Sequence, residues 1–138
     1  MAYSTAMFQA SSILLFVHFK SEEGLYDYLS TKTISEMLNI PAPTVVKVLN
    51  KLNAAGLIHT KEGSRGGISL AKPIYDISLL EVFNAVELGK PLFKVQHDFN
   101  IEYENLDSIK TRGILSLQKA EDAMKASLQE TMLIDLLK

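Results

Sequence analysis

The stretch from Ile40 to Ile58, IPAPTVVKVLNKLNAAGLI, constrains the fold more than any other part of this chain. Pro41 stops a helix arriving from the N-terminal side. Pro43 suits the first turn of a new one, where its fixed φ is helical and its missing N–H would have had no partner. Gly56 then supplies a left-handed stop. A helix from Pro43 to Ala55 is therefore expected, joined to the preceding segment by about four residues, the length of a helix-turn-helix connection. A rotation of about 100° per residue puts Val45, Val48, Leu49, Leu52 and Ala55 on one side and Pro43, Thr44, Lys47, Asn50 and Lys51 on the other. Such an outer face is ordinarily only solvated. This one is positive, lacks any carboxylate, and carries Thr and Asn, which donate and accept toward base edges and phosphates.

The flanking segments extend the pattern. Met7, Phe8, Ile13, Leu14, Phe16 and Val17 mark a helix from Ser4 to Phe19, and a short helix from Ile34 to Asn39 follows, with a capping-box spacing at Thr33 and Glu36. After Gly56, Leu57 to Thr60 and Ile68 to Leu70 read as two short strands flanking KEGSRGG. A helix-turn-helix followed by such a hairpin is a winged helix. Its glycines would let the tip approach a duplex, with Lys61, Ser64 and Arg65 at the phosphates or minor groove. The alternative is an ordinary hairpin whose glycines serve turn geometry alone.

Charge separates this middle third from the rest. The chain carries a net charge of −2, yet between Lys32 and Lys72 six basic residues face two acidic ones, the electrostatic footprint of a nucleic-acid contact. No run of apolar residues is long enough to span a membrane, and a cytoplasmic protein is expected. The absence of cysteine excludes disulfides, thiolate metal sites and cysteine nucleophiles. No nucleophile and base stand at an interpretable spacing, and Gly63 to Gly67 lacks the Lys-Ser/Thr ending of a phosphate loop, so no enzyme is expected.

The winged-helix string, the Gly66-Gly67 pair followed by Leu70-Ala71-Lys72-Pro73, and ISLLEVFNAVE from Ile77 to Glu87 resemble the Rrf2 family of bacterial winged-helix transcription regulators. The resemblance implies a homodimer, expected to be a repressor, that binds palindromic operator DNA and is joined by a long C-terminal helix. Ile114, Leu117, Met124, Leu128 and Met132 fit that helix, forming an apolar stripe at helical spacing on a segment with only Gly113 at its start. The expected fold is mainly α with a small β hairpin: a winged helix-turn-helix over residues 1–80, then a linker helix, loop and dimerisation helix over 81–138.

Two departures from the family stand out. Cluster-binding members place three cysteines in the stretch that corresponds to Leu88 to Gly113; this chain has none, and His97 with Asp98, Glu102 and Glu104 is a poor soft-metal site. No cofactor is therefore expected. At the wing, Glu62 stands where the family commonly has arginine. A small-molecule effector, if one exists, would lie between the winged helix and the dimer helix near Phe83, Phe93, Phe99 or Tyr103. The reading from a different class is a protein-interaction module that keeps the winged helix as a scaffold.

Overall fold

The computed structural model describes residues 5–25, 27–87, 91–96 and 98–137. Among these, the helices are α1 (Ala6–Glu22), α2 (Thr31–Leu38), α3 (Ala42–Ala54), α4 (Leu79–Val86) and α5 (Leu106–Glu130), and the strands are β1 (Ile58–Lys61) and β2 (Gly67–Leu70). This is the expected mainly helical fold with a small hairpin. Two short 3-10 helices, Ile74–Asp76 and Leu133–Leu137, complete it. No helix among the described residues is long and apolar enough to cross a membrane.

Helix boundaries depart from the sequence expectation for local reasons. Ser4, the expected start of α1, lies outside the described residues, and the helix runs on to Glu22. No capping box forms at Thr33 and Glu36, because Ser30 starts α2 earlier: its Oγ accepts the Thr33 N–H at 3.1 Å and donates to Thr33 Oγ1 at 3.0 Å. The capping box opens α4 instead. There Ser78 Oγ accepts the Glu81 N–H at 3.1 Å and Glu81 Oε2 accepts the Ser78 N–H at 3.2 Å, so two otherwise orphaned donors are satisfied. Between α2 and α3, Asn39 turns the chain with a left-handed φ of 54°. Ser35 then pins the turn, its Oγ donating to the Ile40 carbonyl at 2.6 Å.

The core forms around α3. Val45, Val48, Leu49 and Leu52 are all buried, as the rotation predicts, whereas Ala55 is exposed. They join Ala10, Ile13, Leu14 and Val17 of α1, Ile34 of α2, and Ile58 and Ile68 of the hairpin in one cluster. Each valine, leucine or isoleucine among them contributes about 1.5–3 kcal/mol on full burial. The cluster spans the boundary expected at residues 80 and 81, since Val82, Ala85 and Val86 of α4 and Leu133 belong to it. The chain's end is held there by backbone bonds: the Leu133 N–H donates to the Ile77 carbonyl at 2.8 Å and the Leu79 N–H to the Thr131 carbonyl at 2.9 Å.

The hairpin pairs antiparallel, with Ile58 opposite Leu70 and Lys61 opposite Gly67. A third stretch of backbone joins it, because Leu29 and Ile68 exchange hydrogen bonds of 2.9 and 2.8 Å. Close backbone packing, against Leu29 for one and within the hairpin for the other, explains the two adjacent glycines. A Cβ on Gly67, whose φ is +147°, would collide with the Leu29 carbonyl, and one on Gly66 would collide with the Lys61 carbonyl. Both therefore serve close approach within the protein, where the sequence reading assigned them to close approach of DNA. Gly63, at the tip, has open space around it.

By contrast, α5 has no buried residue along its 25 positions. Gly113, expected at its start, lies inside it.

The two kinds of hairpin glycine should respond differently to a methyl group. Gly63→Ala places a left-handed residue in open space and should cost about 1 kcal/mol. Gly67→Ala adds a backbone collision and should cost at least about 2 kcal/mol. Urea denaturation of both variants measures the difference, and equal costs would show that the hairpin is not held against the Leu29 backbone.

Candidate nucleic-acid interface

The four buried side chains of α3 fix which residues it presents outward. Pro43, Lys47 and Asn50 are exposed together on the far side of the helix. Thr44 and Lys51, seven residues apart and hence on one flank, are only half-buried, and Lys51 turns toward α4. The Lys51 ammonium donates to the Val86 carbonyl at 3.2 Å. That carbonyl ends α4 and has no intrahelical partner, so a cation is favoured there by both hydrogen bonding and the helix dipole. Of the five residues the sequence places on the outer face of α3, the structure thus brings three together and sets two on the flank.

On the opposite flank, α3, the N-terminal end of α2 and the hairpin enclose a groove of about 400 Å³. Ser30, Thr31, Val46, Asn50, Thr60 and Lys61 line it, with the wing glycines at its edge. Ser30, Thr31, Val46 and Thr60 went unassigned in the sequence reading. For Val46 a signal exists: it lies about 110° from the centre of the four buried residues, at the rim of the core rather than in it. Ser30 and Thr31 became visible only once the true start of α2 was known.

At the wing, Lys61, Ser64 and Arg65 are all exposed. Arg65 rides on the turn closed by the Gly66 N–H to the Gly63 carbonyl at 3.0 Å. The Lys61 ammonium lies 5.4 Å from the centroid of the Tyr28 ring, a cation–π contact that steadies it against the body. Elsewhere in the basic middle third, Lys72 is neutralised by Glu81 at 2.6 Å. Lys32, Lys47 and Arg65 are exposed, and no hydrogen bond or ion pair among the described residues holds any of them. The uncommitted cations are thus on α2, on α3 and at the wing tip.

The residues expected at a dimer interface are placed less uniformly. Ile114, Leu117, Met124 and Leu128 form a half-buried line along α5. Part of that line is covered by the chain itself. Ile114 and Leu117 border a cavity of about 480 Å³ with Phe93 and Val95, and the Leu92 N–H donates to Glu121 Oε1 at 2.7 Å. Met132 lies beyond the helix, paired with Ser78. The aromatics expected to line an effector site are dispersed: Phe83 is buried, Phe93 lines the α5 cavity, Phe99 lies under the Lys110 ammonium at 5.2 Å, and Tyr103 borders a separate cavity.

A helix-turn-helix followed by a paired hairpin with a basic tip is a winged helix, the architecture of a large class of DNA-binding transcription regulators. The family model of Rrf2, described as an iron-dependent transcriptional regulator, matches residues 3–138, and the chain belongs to this family. It is 34% identical over 87 residues to YwgB of Bacillus subtilis, whose name places it among HTH-type transcriptional regulators; the match covers 63% of this chain and 54% of YwgB. The chain thus matches about half the length of that relative. Among solved structures, a transcriptional regulator from Lactobacillus plantarum superposes with a TM-score of 0.78 at 12% identity, covering 96% of this chain and 87% of that one. CymR, the global cysteine regulator of Bacillus subtilis, superposes with a TM-score of 0.65 at 20% identity, covering 99% and 95%. At these identities the superpositions show a shared fold.

The family description names iron. This chain has no cysteine, and among its described residues no three His, Asp or Glu side chains are grouped to hold a metal ion. His97 lies outside the described residues. A thiolate-held iron cluster therefore does not fit this donor set.

The two lysines of α3 should differ in what they support. Lys51→Met orphans the Val86 carbonyl and should lower the unfolding free energy by about 1 kcal/mol. Lys47→Met should stay within about 0.5 kcal/mol of the unmodified protein. Chemical denaturation of both decides it; equal effects would mean that Lys51 is merely solvated.

Proposed function

We propose that this chain is a sequence-specific DNA-binding regulator that acts as a homodimeric repressor at inverted-repeat operators, without an iron–sulfur cluster. The observation that carries the DNA reading is the disposition of charge. In a chain of net charge −2, the cations of the middle third that hold no partner among the described residues lie on α2, on α3 and at the wing tip, and α3 itself holds no carboxylate. Pro43, Lys47 and Asn50, with Thr44 at the edge, would enter the major groove. Lys61, Ser64 and Arg65 would meet the sugar–phosphate backbone beside it. Lys51 braces α3 against α4 from within.

Dimerisation is supported by α5. A helix of 25 residues spans about 37 Å, and one without a single buried side chain gains little from its own domain. The line from Ile114 to Leu128, only partly covered, is the surface that a second copy would close. Repression by occupying an operator requires DNA binding and dimerisation alone, the two capacities these surfaces support.

Gel-shift titrations against the DNA upstream of its own gene, repeated over a range of salt, test the DNA reading. Arg65→Ala should weaken binding to many sequences alike and, if one phosphate contact is lost, reduce the slope of log affinity against log salt by about 0.9. An unchanged affinity and slope would remove the wing from the interface. Absence of any salt-sensitive shift would favour a protein-interaction module.

For the dimer, a charge at the middle of the half-buried line should be costly wherever that line is covered. Sedimentation of the unmodified protein at micromolar concentration should give a dimer, and Leu117→Glu a monomer or an insoluble chain. A monomeric unmodified protein would contradict the proposal.

A further inference from the structure

Every valine and leucine of α3 but one is in the core: Val45, Val48, Leu49 and Leu52 are between 0% and 5% exposed. The exception is Val46, at 45%. It stands at the mouth of the groove between α3 and the wing, with Thr31 across from it and Asn50 one turn further on. Exposed Ala42 and Pro43 precede it by one turn, so the N-terminal end of α3 carries a small apolar rim beside its polar face. A lone exposed valine needs no explanation in general. This one occupies the part of the helix that, in a helix-turn-helix, faces base edges.

From this position we infer that Val46 reads the 5-methyl group of a thymine in each operator half-site. The inference rests on the DNA-binding reading above. Among the edges exposed in the major groove, the thymine methyl is the one methyl group and the largest apolar feature; the cytosine C5–H at the same place is smaller, and the other features there are hydrogen-bond donors or acceptors. Valine offers neither. Pressed against a cytosine amino group or a guanine carbonyl, it would strip water from a polar atom and return no hydrogen bond. Against a methyl, it removes two apolar surfaces from water. Its β-branched side chain has one strongly preferred χ1 in a helix, so little rotamer freedom is lost on contact. Asn50, one turn on, can meanwhile engage an adenine through its amide.

The test uses duplexes that the full-length protein enriches from a randomised pool, with each thymine of the half-site replaced in turn by deoxyuridine, which lacks only that methyl. One thymine position should weaken binding roughly fourfold per half-site when replaced, the equivalent of one buried methyl at about 0.8 kcal/mol. Val46→Ser should bind the thymine and uracil duplexes equally at that position. Val46→Thr, which retains a branched methyl, should keep a preference for thymine. The side chain is exposed, so these variants should match the parent in circular dichroism. The inference is overturned if Val46→Ser loses as much as the unmodified protein at every thymine, or if the enriched half-sites contain no thymine. Failure to enrich any sequence is a different result and overturns the DNA-binding reading itself.

Discussion

The reciprocal hydrogen bonds between Leu29 and Ile68 fix the geometry on which the rest of this molecule depends. They fasten the hairpin to the segment that leads into α2, and Ser30, the next residue, caps that helix. One backbone contact thereby sets both the wing and the N-terminal end of α2 relative to α3, and with them the groove between the three. Gly67 is what allows it, because any side chain there would meet the Leu29 carbonyl. The glycine is thus a condition for the shape of the groove before it is anything to a ligand.

Charge is organised around the same frame. Two basic side chains of the middle third are consumed in holding elements together, Lys72 by Glu81 and Lys51 by the end of α4. A third, Lys61, is steadied by Tyr28. What remains for a polyanion is a smaller set than composition suggests, and it is spatially sorted: Lys32, Lys47 and Arg65 each adjoin in sequence a residue that lines one groove, Thr31, Val46 and Gly66. At physiological ionic strength, where the Debye length is about 8 Å, charges placed this way act over short distances, so placement matters more than the net sum.

Much of this was legible in the residues. The prolines and Gly56 bound α3, and a period of 3.6 picked out its buried side, because both signals are local and the helix is short and strongly amphipathic. The hairpin was legible for the same reason. Signals that depend on a tertiary partner were not. Thr33 has the spacing of a cap, but Ser30 lies in the extended conformation that a cap needs, held by the Leu29 pairing. Lys51 has the outward look of its neighbours, but a carbonyl 35 residues away takes its ammonium. Met132 was read as part of the dimerisation stripe, yet the residue after it, Leu133, is fully buried in the core, a contact that no local pattern announces. Gly66 and Gly67 were seen as a wing signature, and their role in packing backbone on backbone came only with the fold.

The least satisfied element is α5, a long helix without a buried residue on a body that is otherwise well packed. The proposed assembly, two copies joined through α5 and set on a duplex with a matching two-fold axis, would use both this helix and the uncommitted cations beside the groove. Sedimentation equilibrium of the protein with a labelled operator duplex tests this most directly. The account predicts two chains per duplex in a complex that survives an excess of random-sequence DNA. One chain per duplex, or a complex that random DNA disperses, would contradict it.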